Sequence, residues 1–267
     1  MPLFQTAINS MKFCQAYGNP LEILFRRAFF PKGDVRVVDR ATGTRVVCKV
    51  ASYAMFGEVW HDHDYDIPKV PIRPGDVVVD IGGNHGFYTC YAARQGAKVL
   101  VFEPVPAVFE YLEKNVRENG LAGRVTARCC GISDRKGTIE MILSDQLGGG
   151  MNTIIGDFAR QMELKVSNKI EVELTTFEDA LAENHAERVR ICKLDCEGAE
   201  WPILKAMTAK TAAKVDAFVI EYHWAGYGIS DLVRHLLSWG THQVSYAEDK
   251  YCERMVIRAI RNDVLTP

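Results

Sequence analysis

The 267-residue sequence predicts an α/β fold built on a mostly parallel sheet with helices on both faces. Three observations predict it. From residue 76 onward, short apolar runs alternate with longer runs of helical spacing, the pattern of repeated strand–helix units. The first apolar run, Val77 to Val79, leads into Asp80-Ile-Gly-Gly-Asn-His-Gly86, a glycine-bearing turn of the kind that joins a strand to a helix. The second, Val99 to Phe102, ends in an acid, Glu103.

Residues 1–70 read as a lead-in of helices and a short hairpin. Leu21 to Phe30 has helical spacing and stops at Pro31, which cannot continue a helix. This segment is expected to pack through an apolar face, and Arg26 and Arg27 within it are not read as membrane contacts. Val35 to Asp39 and Arg45 to Val50 flank Ala-Thr-Gly-Thr, a hairpin signal. Tyr53 to Trp60 reads as a further helical turn. Arg73-Pro-Gly-Asp76 is a turn that opens the main domain, 71–267.

Within that domain, strands are expected at 76–81, 97–102, 124–130, 189–195 and 215–221. Helices are expected at 86–95, 106–119, 176–184, 198–207 and 230–239. Gln243 to Tyr246 and Arg254 to Ile260 read as an antiparallel pair at the edge, which brings the sheet to seven strands. Thr138 to Leu143 and Lys169 to Thr175 read as an inserted strand pair. Between them, Asp145 to Thr153 is expected to be a loop, and Gly148-Gly149-Gly150 gives it the character of a lid.

Bulk composition excludes several function classes. A hydrophobic share of 48% and a charged share of 25% are those of a globular chain with a buried core. A net charge of −2, with no long basic run, argues against nucleic acid as a partner. The eight cysteines form no Cys-x-x-Cys pair, and most lie inside apolar runs, so they read as small core residues and not as a disulfide framework. The start, Met-Pro-Leu-Phe-Gln-Thr, has no basic leader followed by a long apolar core, so a cytoplasmic location is expected. No apolar stretch reaches the roughly 20 residues of a spanning helix, and no membrane partner is expected.

The chemistry is concentrated at strand ends, where open α/β sheets bind ligands. Glu103 follows Asp80 by about 20 residues, the spacing of an acid that accepts ribose hydroxyls. A dinucleotide fingerprint needs glycine at its first, third and sixth positions. Counting from Gly82 gives Gly82, Asn84 and Phe87; counting from Gly83 gives Gly83, His85 and Tyr88. Neither register fits, which weighs against a nicotinamide-dependent oxidoreductase. Asp80-x-Gly82-x-x-x-Gly86 is the spacing used for S-adenosylmethionine, which has no pyrophosphate to cradle.

The expected cofactor residues are therefore Asp80, Gly82, Asn84 and Gly86 in the turn, then Glu103 and Pro104. Gly131, Ile132 and Ser133 follow the third strand, beside the adenine. Asp195, at the end of the fourth strand, should face the reacting methyl. It belongs to a run that also holds Lys193, Glu197 and Glu200. Glu197 and Glu200 also suit a helix start, where acids favour the positive end of the dipole. His223, after the fifth strand, is the expected general base, since an imidazole titrates near neutral pH. His85 is a weaker candidate. His61-Asp-His-Asp64 lacks a third and fourth ligand and reads as a polar surface turn. No metal is expected, although Asp195, Glu197 and Glu221 could supply oxygen ligands to a hard cation.

Three blocks carry a family resemblance: Asp80-Ile-Gly-Gly-Asn-His-Gly-Phe-Tyr-Thr89, Phe102-Glu-Pro-Val-Pro106 and Lys193-Leu-Asp-Cys-Glu-Gly-Ala-Glu200. They resemble the signature blocks of FkbM-type methyltransferases, and Gly131-Ile-Ser-Asp-Arg-Lys-Gly137 resembles a weaker fourth. The similarity spans roughly 58–222 in the right order. It departs at Gly83, where the family usually has Ala, and at His85, where it usually has an apolar residue. The resemblance implies a Rossmann-like class I methyltransferase fold with S-adenosylmethionine as donor and S-adenosylhomocysteine as product. It also implies O-methylation of a hydroxyl on a small biosynthetic product, such as a polyketide or a glycoside. A non-catalytic adenosine-binding partner subunit is the alternative; the acids at 195–200 and His223 argue against it.

Overall fold

The computed structural model describes residues 12–144, 166–248 and 255–265. The expected lid, Asp145 to Thr153, lies outside the described residues.

Val-rich runs become the central strands because they are buried on both faces. β3 (Val77–Ile81) has Val78, Val79, Asp80 and Ile81 all buried. Strand side chains alternate in direction, so Val78 packs into one apolar cluster and Val79 into the other. β3 lies between β4 (Lys98–Phe102) and β9 (Val189–Leu194), parallel to both. β5 (Val125–Arg128) extends the sheet beyond β4, and β10 (Val215–Tyr222) extends it beyond β9. β12 (Met255–Arg261) runs antiparallel against β10 and against the edge strand β11 (His242–Glu248). The order is β11-β12-β10-β9-β3-β4-β5, seven strands as expected.

The lead-in is joined to this sheet. α1 (Pro20–Phe29), β1 (Asp34–Val38), β2 (Arg45–Lys49) and α2 (Tyr53–Trp60) precede β3. Ile23, Val35, Val37, Phe56 and Trp60 share one cluster with Val78, Phe87 and Val101. α3 (Phe87–Arg94) follows the glycine turn, and α4 (Pro106–Glu118) follows β4. Asn115, in α4, meets β2 as another strand would: its amide donates to the Val47 carbonyl at 2.9 Å and accepts the Val47 N–H at 2.8 Å.

Two expectations change here. α1 was expected to pack through its apolar face, yet it buries only Ile23, and Leu21, Leu24, Phe25 and Phe29 are exposed. Phe25 instead contacts Phe29 and Phe30, with ring centres 5.0 and 5.8 Å apart. The inserted strand pair gains a third member: β6 (Gly131–Ser133), β7 (Gly137–Ser144) and β8 (Val166–Thr176) form their own sheet, with β8 central. Gly131 to Ser133, expected to follow the third strand beside the adenine, form β6, which pairs in parallel with Leu174 to Thr176.

α5 (Phe177–Glu183), α6 (Glu200–Ala206), α7 (Ala209–Ala212), α8 (Ile229–Ser238) and α9 (Asn262–Leu265) complete the fold. No helix among the described residues is long and apolar enough to cross a membrane. All described cysteines are free.

Candidate active site

The carboxyl ends of β3, β4, β9 and β10 meet at two adjoining cavities. Ile132, Val105, Val108, Met141 and Leu174 give the first an apolar wall, which Glu103 and Pro104 close on one side. The second has Tyr65, Tyr88, Lys193, Glu58 and Glu221 in its wall. Met55, Gly82, Asn84, Asp195 and Glu197 belong to both and mark the junction.

The glycine turn is needed for chain crossing as much as for a ligand. Gly82 has φ 81°, and a Cβ there would come within 1.9 Å of the Asp195 carbonyl oxygen. Only glycine lets the end of β9 pass so close to the end of β3. Asp80, expected to complement a cationic cofactor, is enclosed beneath the turn. It accepts a hydrogen bond from Thr89 Oγ1 at 2.6 Å and lies 3.3 Å from Lys193 Nζ. Lys193 also reaches Asp195 at 3.2 Å and donates to the Gly82 carbonyl at 3.0 Å. Burial alone would lower its pKa, but Asp195 and Asp80 outweigh burial and hold it cationic. Asp80 therefore fixes Lys193, and Lys193 ties the turn to β9.

Glu103 lines the first cavity as expected. Its Oε2 accepts the Asn84 N–H and its Oε1 the Val105 N–H, each at 2.9 Å. Burial pushes its pKa up to about 7, against the pull of those two amides. Gly131, Ile132 and Pro104 also line this cavity, as does Asn84. Gly86 and Ser133 do not line either cavity. Gly86 starts α3 with φ 83°, and Ser133 Oγ donates to its neighbour Asp134 at 3.1 Å.

His85 is buried and structural. Its Nδ1 lies against Asn84 Oδ1, and its Nε2 accepts the Lys49 N–H at 3.3 Å. Burial drops its pKa to about 3, so it stays neutral. The His61 to Asp64 turn ends α2; His61 lies 3.3 Å from Asp39, and His63 lies 3.1 Å from Asp66.

The acids after β9 form one group with the end of β10. Glu197 has φ 53° and Gly198 φ 97°, which delays α6 to Glu200. Glu200 is fully buried, and its carboxylate turns back to accept the N–H groups of Cys196 at 2.9 Å and Gly198 at 3.1 Å. It also takes His223 Nδ1 at 2.9 Å and the Tyr227 hydroxyl at 3.3 Å. His223 Nε2 points to Glu197 at 3.6 Å and Glu221 at 3.7 Å. His223 lines neither cavity. Burial would lower its pKa, but Glu200 and Glu197 raise it well above the ordinary value, which makes it a poor general base. Burial pushes Glu197 up to about 8, and His223 opposes that rise.

Several site residues carry no sequence signal. Tyr65 donates to Glu221 at 2.6 Å and to Asp195 at 3.3 Å, from a loop of the lead-in. Met55, on α2, is equally remote in sequence from the junction it lines. Met141 and Leu174 could have been found, because apolar residues alternate along the inserted strands.

The donor set suits a positively charged adenosyl ligand. An acid is present for a vicinal diol, apolar walls for a flat ring and carboxylates at the junction for a positive sulfur. The Tyr88 hydroxyl, buried in the second cavity, has no hydrogen-bond partner among the described residues and awaits one from an occupant.

Comparisons with known proteins agree. Residues 80–245 match the methyltransferase FkbM domain. Methyltransferase sdnD of Sordaria araneosa is 29% identical over 215 residues, 72% of this chain and 82% of the relative. The 31-O-demethyl-FK506 methyltransferase FkbM of Streptomyces tacrolimicus is 25% identical over 230 residues, 77% of this chain and 87% of the relative. The hexuronic acid methyltransferase AglP of Haloferax volcanii is 28% identical over 215 residues, 77% of this chain and 82% of its own. A SAM-dependent methyltransferase from Agrobacterium tumefaciens superposes with a TM-score of 0.50 at 11% identity, covering 86% of this chain and 72% of the other; that likeness concerns the fold alone. A seven-stranded sheet ending in this acid-lined junction, with the family domain matched over 80–245, makes the chain a member of the FkbM methyltransferase family and an S-adenosylmethionine-dependent methyltransferase.

Proposed function

We propose that this methyltransferase methylates a hydroxyl oxygen on a small biosynthetic product, such as a polyketide or a glycoside. Two relatives support the acceptor class by name, one acting on 31-O-demethyl-FK506 and one on a hexuronic acid. The observation that carries the reading is the junction itself: a cavity with an apolar wall and Glu103 on one side adjoins a second cavity lined by Tyr65, Lys193 and Glu221, and Asp195 and Glu197 line both. Glu103 would hold the ribose hydroxyls, and Gly131, Ile132 and Pro104 would flank the adenine. Asn84 and Gly82 would line the path to the sulfur. The chemistry supplied by the bound cofactor is a methyl carbon on positive sulfur, with S-adenosylhomocysteine as the product.

The chain's own task is to place an oxygen in line with that carbon and to remove one proton. Asp195, which lines both cavities, is assigned to the acceptor oxygen, and His223, which lines neither, to holding the acids beside it. The proton passes to the carboxylate side, Asp195 or Glu221, which share the Tyr65 hydroxyl. His223 holds position and does not take the proton, because Glu200 and Glu197 favour its cationic form.

Mass spectrometry of ligand carried through purification tests the donor. S-adenosylhomocysteine or its methylated form is expected, and a nicotinamide dinucleotide would overturn the reading. Incubation with methyl-labelled donor and hydroxylated acceptors tests the rest; label found on nitrogen or carbon would refute O-methylation.

A further inference from the structure

Asp195, Glu197 and His223 are the one group among the described residues with the composition of a metal site. A ligand atom from each lies within 4.8 Å of the others. We propose that Asp195, Glu197 and Nε2 of His223 bind a divalent cation, best matched by Mn2+, which displaces the Nε2 proton to solvent and receives the acceptor oxygen at an open position. The inference deepens the methyltransferase reading and rests on it for the identity of the acceptor.

The first support is the way His223 is held. Its Nδ1 is committed to Glu200, itself fixed by two backbone amides. That leaves Nε2 aimed at Glu197 and Glu221, at 3.6 and 3.7 Å. Those separations are longer than hydrogen bonds. They approach the spacing of about 3 to 3.5 Å between two ligands bonded to one ion at about 2.0–2.2 Å. A carboxylate behind a histidine, with the far nitrogen presented to a cluster of oxygens, is the arrangement that orients histidine ligands.

The second support is charge. Asp195 lies beside Lys193, and Glu197, Glu200 and Glu221 lie beside His223. Carboxylates gathered this closely repel one another, and a divalent cation between them offsets that cost. The third is independent of the acids. Tyr88 lines the same cavity, 2% exposed, with a hydroxyl that finds no partner among the described residues. Water on a bound cation is a hydrogen-bonding occupant of the kind that hydroxyl lacks.

The donors choose among ions. Carboxylates suit Mg2+, Ca2+ and Mn2+, while imidazole is taken better by first-row transition metals; Mn2+ accepts both. A hydroxyl bound to such an ion is acidified as metal-bound water is, and Glu221 is at hand to take its proton. The rival occupant of the acidic junction is the positive sulfur of the cofactor, with no metal.

The test uses the full-length protein, treated with chelator, dialysed and titrated with Mn2+ while the free-ion paramagnetic resonance signal is followed. The neutral S-adenosylhomocysteine is present in a parallel arm. One Mn2+ per chain is expected in both arms, with nitrogen coupling in the bound-ion spectrum from His223. Glu197→Gln and His223→Gln should each weaken Mn2+ at least tenfold. Thermal midpoints and S-adenosylhomocysteine affinity check that each variant is folded. If either variant fails to fold, the wild-type nitrogen coupling decides: its absence overturns the site. Failure of the wild type to bind Mn2+ in both arms overturns it too, as does binding that both folded variants retain. Binding of S-adenosylhomocysteine without Mn2+ would leave the methyltransferase reading intact; Mn2+ without S-adenosylhomocysteine would do the reverse.

Discussion

At the amino end of β10, Asp216 is 1% exposed and is met by Arg188 at 2.9 Å, Arg190 at 3.1 Å and Arg261 at 3.0 Å. At the other end of the same strands, five acids gather around Lys193 and His223. Both regions bury carboxylate, but the balance differs. Around Asp216 three guanidiniums meet three acids, because Arg190 also lies 3.6 Å from Asp76 and Arg261 2.6 Å from Asp263, and the guanidinium forks supply directed donors. At the junction the acids outnumber the cations, and cavities open on them. The first arrangement locks strand ends together. The second holds charge in reserve for something that is not part of the chain, and perturbed groups collect at such sites.

The largest expected effect breaks the balanced end. Asp216→Ala removes the carboxylate that Arg188, Arg190 and Arg261 share; Arg190 keeps Asp76 and Arg261 keeps Asp263, so the loss should be about 3 kcal/mol, the lower end for a broken buried pair. A urea midpoint would show it, and S-adenosylhomocysteine affinity should be unchanged in the folded fraction. A loss below about 1 kcal/mol would mean that solvent already screens the arginines.

At the functional end the loss of affinity should exceed the loss of stability. Glu103→Gln should cost about 1 kcal/mol of stability, because an amide accepts only one of the two N–H groups that the carboxylate oxygens take, while the loss of a buried charge offsets part of that. It should weaken S-adenosylhomocysteine at least tenfold, since hydrogen bonds to a charged group are worth about 1.5–3 kcal/mol. Calorimetric titration with unchanged affinity would remove Glu103 from the ribose site.

The smallest effect sharpens the comparison through pH. Glu103 has a folded pKa of about 7, above its ordinary 4.5. Between those values the native state holds a proton that the unfolded state has lost, so this group's contribution to stability falls as pH rises from about 4.5 to 7. Cofactor binding runs the other way, because the ionised carboxylate is the better acceptor for ribose hydroxyls. Affinity should therefore rise as pH increases through about 7, and Glu103→Gln should flatten the profile. A wild-type profile flat from pH 5 to 8 would contradict this.

Much of the framework was legible in the residues. Val77 to Val79, the glycine turn and Glu103 are local patterns, and each fell where the periodicity put it. The edge pair was legible too, from apolar runs alone. The functional assignments were less so. His223 has the right residue type at a strand end, but its neighbours make it cationic and it lines neither cavity. Asp80 has the right motif position, but Lys193 comes between it and the open site. The lead-in helix α1 has an amphipathic pattern, but among the described residues only Ile23 of it is buried.

By itself the sequence determined the order of strands and helices, the strand-end acid and the family. Those depend on spacing over a few residues, where pleat, helical turn and glycine conformation are decided. Only the tertiary structure decided which charges meet. Tyr65 reaches Glu221 across 156 positions of chain, and Lys193 reaches Gly82 across 111. Distance and burial set the energy of such pairs, and neither is written in the spacing of residues so far apart.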